Sequence, residues 1–344
     1  MSDFAAASPA RVARSVSPTA SEMEVVRKAG SKTQHATVLP LGYSSKGHST
    51  KGCHGGSVRL RTRRHWRRSA YSVNVHPYIR IGVLFLGLSV IWLFMMLATG
   101  NHQYSLSRHV LNAALASALT VPLIALLRSR LDRGTLAGLG LPFSSAAIRP
   151  LIVGAVAFVL PSLTGIAIVL ILGWSSIVPQ FPMAEIIAFV PLLIILVFFF
   201  EALPEELAFR GYIYAALAER HSRIVSIIVQ SALFACWGAA LWTISTGTVA
   251  LDRFVMFAAV AFVLGLVRVM TGSVWACVGL HTAWQTTAQL ILHANRGHFA
   301  VDGAEMLQMI AFGVVPFSLV ALIVGLLYRA PVGWLQVEGT VGRA

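Results

Sequence analysis

Pro204-Glu205-Glu206-Leu207-Ala208-Phe209-Arg210-Gly211 sets two adjacent carboxylates and an arginine inside a chain that is otherwise apolar from about residue 78 onward. A charge at the bilayer centre costs roughly 2.5–3.5 kcal/mol on insertion scales, so ionisable groups within membrane segments face an internal cavity and mark function. On a helix Glu206 and Arg210 stand at i and i+4, one above the other, while Glu205 points about 100° away. One carboxylate can therefore be held by the arginine while the other stays free. Around this stretch, apolar runs of the length a bilayer needs, about 20 residues, recur between charged punctuation. They cover 81–99, 109–127, 151–173, 184–203, 224–245, 254–270, 274–293 and 306–328. The fold class they predict is all-α: a polytopic membrane bundle of about eight transmembrane helices. Gly173 to Pro182, with two prolines and Ser175-Ser176, interrupts the third and fourth runs. Pro204 suits the first turn of a helix, where its missing N–H costs nothing, which predicts that the Glu pair opens a new helix after a break.

Composition agrees with the membrane reading. The chain is 56% hydrophobic and 12% charged, with a mean hydropathy of +0.74, where soluble domains carry about a quarter charged residues. Its net charge of +14 comes largely from one end, since 13 of the 27 Lys and Arg residues precede Tyr71. Residues 1–76 are rich in Ser, Gly, Lys and Arg without apolar periodicity, and are expected to form a disordered basic extension. The run from Arg59 to Arg68 suits anionic lipids, at about 1 kcal/mol per basic side chain near the surface. Nucleic acid is an unlikely partner, because no recognition fold accompanies the run. A transit peptide or a start codon set too far upstream are alternative accounts of this segment. The expected division is thus a tail over 1–76, a transmembrane domain over 77–330 and a short C-terminal tail over 331–344. Cys53, Cys236 and Cys277 are too few and scattered for a disulfide framework, and the latter two read as packing residues.

Loop charges predict orientation. Arg128, Arg130, Arg133 and Arg149 lie between the second and third runs, Arg210, Arg220 and Arg223 between the fourth and fifth, Arg268 after the sixth and Arg329 after the eighth. The alternate loops hold Arg108, Arg253 and Arg296. The positive-inside rule then places both termini, and the end nearer the Glu pair, in the cytoplasm.

A histidine inside the seventh run adds a second group, in Gly279-Leu280-His281-Thr282-Ala283-Trp284-Gln285. His281 and Gln285, at i and i+4, share a helical face. For peptide hydrolysis a carboxylate takes a proton from water while imidazole and amide donors stabilise the oxyanion. The plainer alternative is hydrogen bonding between helices.

These motifs resemble the CAAX prenyl protease and bacteriocin-processing family of intramembrane proteases, also called CPBP or Abi. Its EExxxR motif is matched by Glu205, Glu206 and Arg210, and its third motif, His with Asn or Asp four residues on, is similar to His281 with Gln285. The lead-in from Gly265 through Arg268 to Ala276 is also family-like, and the similarity covers about residues 130–295. The resemblance implies Glu205 as the base, Glu206 with Arg210 holding the helix, and His281 and Gln285 binding the oxyanion. It also implies a lipidated or hydrophobic peptide as substrate, cut near the cytoplasmic interface. The chain departs from the family's second motif, FxxxH: Phe234 is present, but Gly238 stands where the His belongs. The missing imidazole would share water activation with the first Glu, or ligate a metal where one is used. Glu205 and His281 alone leave zinc one ligand short of the usual three. Gly238 therefore supports a second reading, a catalytically silent relative that binds a membrane peptide as a partner or immunity protein. A third is a proton-coupled transporter with Glu205 as relay, for which no internal repeat is evident. At position 238, lacking a side chain, the sequence leads one to expect open space able to take an imidazole.

Overall fold

The computed structural model describes residues 75–100, 104–293, 297–329 and 331–338. Residues 1–74 of the basic extension, with its Arg59–Arg68 run and Cys53, and Arg296 lie outside them, so the expectations placed there are not addressed by the fold. Eight long helices follow one another: α1 Pro77–Thr99, α2 Leu106–Arg130, α3 Ile148–Ile171, α4 Met183–Ala218, α5 Arg223–Thr246, α6 Leu251–Thr271, α7 Val274–Leu292 and α8 Ala304–Tyr328. Each coincides with one of the eight apolar runs. Seven are long and apolar enough to cross a membrane, and α7 is the exception. The chain is a multi-pass integral membrane helical bundle.

The exception has a physical cause. Of the 19 residues of α7, 12 are buried inside the protein, whereas α1 turns Leu86 and Leu97 outward at 66% and 85% exposure. α7 is the central helix, so its polar side chains meet other helices rather than lipid, and its sequence need not be as apolar as a lipid-facing span. Glycines seat it against α3. A Cβ at Gly154 would stand 1.9 Å from the carbonyl oxygen of Ala276, and one at Gly279 would stand 2.0 Å from that of Leu151. The two backbones touch directly, as small residues permit.

α4 corrects the expectation of a break before Pro204. The helix runs without interruption from Met183 to Ala218, with π-helical turns over Phe198–Ala202 and Leu207–Ile213 on either side of Leu203–Glu206. The Leu203 N–H reaches back five residues to the Phe198 oxygen. Continued by one residue, that register would ask Pro204 to donate to Phe199, which it cannot do. The Ser117 hydroxyl of α2 donates to the Phe199 oxygen instead, at 2.5 Å. A widened turn plus a borrowed donor absorbs the proline, and π-turns of this kind are frequent at functional sites.

Each end of the bundle is tied separately. At one end, β1 Ser176–Pro179 pairs antiparallel with β2 Phe299–Asp302, linking the α3–α4 and α7–α8 connections. At the other, Val274 N–H donates to the Gly140 oxygen at 2.9 Å, and Trp275 Nε1 donates to Pro142 at 2.8 Å. Arg268 there donates to the backbone oxygens of Leu139 and Arg210 at 3.0 and 3.1 Å. Arg80, near the start of α1, is buried at this same end between Asp132 and Glu219.

Candidate active site on α4 and α7

The narrow-pitched segment Leu203–Glu206 presents its carboxylates to α7. Glu206 and Arg210 are completely buried, with Arg210 Nη1 donating to Glu206 Oε1 at 2.9 Å. The same oxygen lies 2.8 Å from His281 Nδ1. Glu206 is thus engaged by a guanidinium on its own helix and an imidazole on the next. The carboxylate can only accept, so Nδ1–H donates to Glu206 and sets the orientation of the ring, and His281, itself 2% exposed, is left with Nε2 bonded to none of the described residues. Trp284 flanks the ring at a centroid distance of 5.6 Å.

Glu205 differs from its neighbour. It is partly accessible, makes no hydrogen bond to a described residue, and lies within electrostatic range of His281, Glu201, Glu206 and Arg210. Gln285 is also partly accessible. Its Oε1 lies 3.5 Å from Gln289 Nε2, which in turn donates to Glu201 Oε1 at 2.8 Å.

Glu201 and Gln289 are members of this cluster that the sequence analysis did not single out. Their signal was spacing: Glu201 precedes Glu205 by four residues, and Gln289 follows His281 and Gln285 by eight and four. Both continue stripes already recognised, and an apolar neighbourhood rich in Phe obscured Glu201.

Gly238 corrects the expectation of open space. A Cβ there would meet the Phe257 ring of α6 at 3.0–3.3 Å, tighter than ordinary packing. Phe257 stands edge-on to Phe234, with centroids 6.1 Å apart, and the Arg210 guanidinium lies over the Phe234 ring at 4.6 Å. Where the resemblance leads one to look for an imidazole, aromatic rings fill the volume and carry the arginine by a cation–π contact.

Catalytic zinc takes three protein ligands and an open position. Among the described residues no three His, Cys, Asp or Glu side chains assemble into such a group. His281 Nδ1 is committed to Glu206, and position 238 supplies nothing. These residues do not fit a three-ligand zinc centre.

A buried carboxylate–guanidinium–imidazole cluster thus lies beside a carboxylate that has no hydrogen bond to a described residue, inside a helical membrane bundle. Residues 186–287, from α4 through most of α7, match the model of the Rce1-like family, described as type II CAAX prenyl endopeptidase Rce1-like. The matched segment is similar to that family, and it contains Glu205, Glu206, Arg210, His281 and Gln285. No curated protein and no solved structure gives a significant match to the chain.

Proposed function

We propose that the protein is an intramembrane endopeptidase whose base is Glu205. The observation that carries this reading is the unequal state of the two adjacent carboxylates: Glu206 is held by Arg210 and His281, whereas Glu205 is partly accessible and makes no hydrogen bond to a described residue. Glu205 takes a proton from water, and the resulting hydroxide adds to the scissile carbonyl carbon. His281, protonated on both ring nitrogens with its Nδ1–H given to Glu206, donates to the oxyanion that forms through Nε2–H, and Gln285 donates to it through its amide N–H. On collapse the C–N bond breaks and the proton on Glu205 passes to the leaving nitrogen, giving a carboxylic acid and an amine, which exchange a proton and leave as carboxylate and ammonium. Glu206 and Arg210 act as positioning residues. No step is routed through a metal.

The family match and the apolar surroundings support a lipidated or hydrophobic peptide as substrate. Loop charges favour cytoplasmic termini and cleavage near that interface, with the basic extension contacting anionic lipids. Phe257 packed against Gly238 favours one second reading, a catalytically silent relative that binds the peptide without cutting it. Incubating the purified, membrane-reconstituted protein with quenched farnesylated CAAX peptides and unmodified membrane peptides, with and without chelator, separates the two. Cleavage that persists in chelator supports the first reading, and binding without cleavage supports the second.

A further inference from the structure

Resting on the proteolytic reading, we propose that Glu201 is a positioning residue that orients the amide of Gln285 towards the oxyanion, acting through Gln289. The Glu201 carboxylate can only accept, so at 2.8 Å it fixes which end of the Gln289 carboxamide is the nitrogen. With Nε2 so placed, Gln289 faces Gln285 with a donor, and the Gln285 oxygen turns to it at 3.5 Å. The Gln285 nitrogen is then directed away from Gln289, and no described residue competes for its two N–H groups. Removing the acceptor at position 201 takes away the contact that faces the Gln289 nitrogen this way, and a reversed Gln289 amide would let Gln285 present its oxygen to the developing negative charge. Repulsion between that oxygen and the oxyanion would replace stabilisation. The polar ladder Glu201–Gln289–Gln285 thus sets the polarity of one donor from α4, through about one helical turn of α7.

The relay predicts a pattern that a purely structural carboxylate would not give. Glu201→Ala should lower kcat about tenfold with KM nearly unchanged, less than the about 10²–10³ lost when an oxyanion donor is removed outright. Glu201→Gln, whose carbonyl oxygen can still accept, should recover most of the rate. In a Gln285→Ala background Glu201→Ala should add nothing, the non-additivity expected of residues acting in series. Gln289→Leu provides a second entry to the relay should Glu201→Ala fold poorly.

The deciding measurement is binding of a farnesylated CAAX peptide and of its phosphinate isostere, whose anionic oxygen stands in for the oxyanion, followed by Trp fluorescence. Wild type should favour the phosphinate, and Glu201→Ala and Gln289→Leu should lose about tenfold of that preference while binding the amide peptide normally. Variants that keep the full preference, or lose affinity equally for both ligands, overturn the relay alone. A wild type that binds both ligands equally and cleaves neither peptide class overturns the proteolytic reading and the relay together.

Discussion

Glu206 and His281 are joined across α4 and α7 by a 2.8 Å contact at Nδ1, which leaves Glu205, of the two adjacent carboxylates, without a hydrogen bond to a described residue. It also turns the imidazole so that only Nε2 remains to meet a substrate. Because Arg210 reaches the same Glu206 oxygen, the three residues form one electrostatic unit.

That unit should be costly to break. Removing one partner of a buried ion pair leaves an uncompensated charge and typically costs about 3–5 kcal/mol. Arg210→Ala should accordingly lower the thermal midpoint and folded yield far more than Glu205→Gln, which keeps shape and touches no hydrogen bond. Thermal unfolding in detergent measures this directly. Equal midpoints for wild type and both variants would contradict the coupling.

The second-motif position makes a different prediction from the one an empty glycine site suggests. Gly238→His alone forces its side chain against Phe257, whose ring already stands 3.0 Å from an ideal Cβ, and overpacking of this kind costs about 1–3 kcal/mol. The single variant should be less stable and no more active. Pairing it with Phe257→Ala opens the volume, so the double variant should regain stability relative to Gly238→His and raise peptide cleavage above wild type. A stable, fully folded single variant would show that α5 and α6 yield more easily than their packing implies.

Orientation can be checked independently of chemistry. The β1–β2 ribbon places the α3–α4 and α7–α8 connections at one end, and the contacts of Arg268, Val274 and Trp275 place the α2–α3 and α6–α7 connections at the other. Reporter fusions after Arg149 and Arg223 should report cytoplasm, and a fusion after Gly297 the outside. The reverse pattern would show that the arginine-rich end faces outward.

The sequence carried the helices well, because a bilayer demands one long apolar run per crossing and each of the eight was visible. It also carried the two stripes bearing Glu205, Glu206, Arg210, His281 and Gln285, since i and i+4 spacing survives in any helix. What it hid depended on neighbours distant in the chain. The continuity of α4 past Pro204 relies on Ser117, 82 residues removed from the Phe199 oxygen it serves, and no local rule for proline anticipates a borrowed donor. The filled space at Gly238 relies on Phe257 of the next helix. The β1–β2 ribbon pairs two four-residue segments that are too short to show alternation. Choosing Glu206 rather than Glu205 as the partner of His281 required the relative rotation of α4 and α7, which the π-turns alter and periodicity alone does not provide.

The central claim is that Glu205, left free because Glu206 is held, activates water. Its most direct test is cleavage of a quenched farnesylated CAAX peptide by reconstituted wild type and by Glu205→Gln at matched folded concentration. General acid–base assistance typically contributes about 10²–10⁴ in rate, so Glu205→Gln should lose at least about 100-fold in kcat while its thermal midpoint stays at the wild-type value. Undiminished cleavage by a well-folded Glu205→Gln protein would contradict the account.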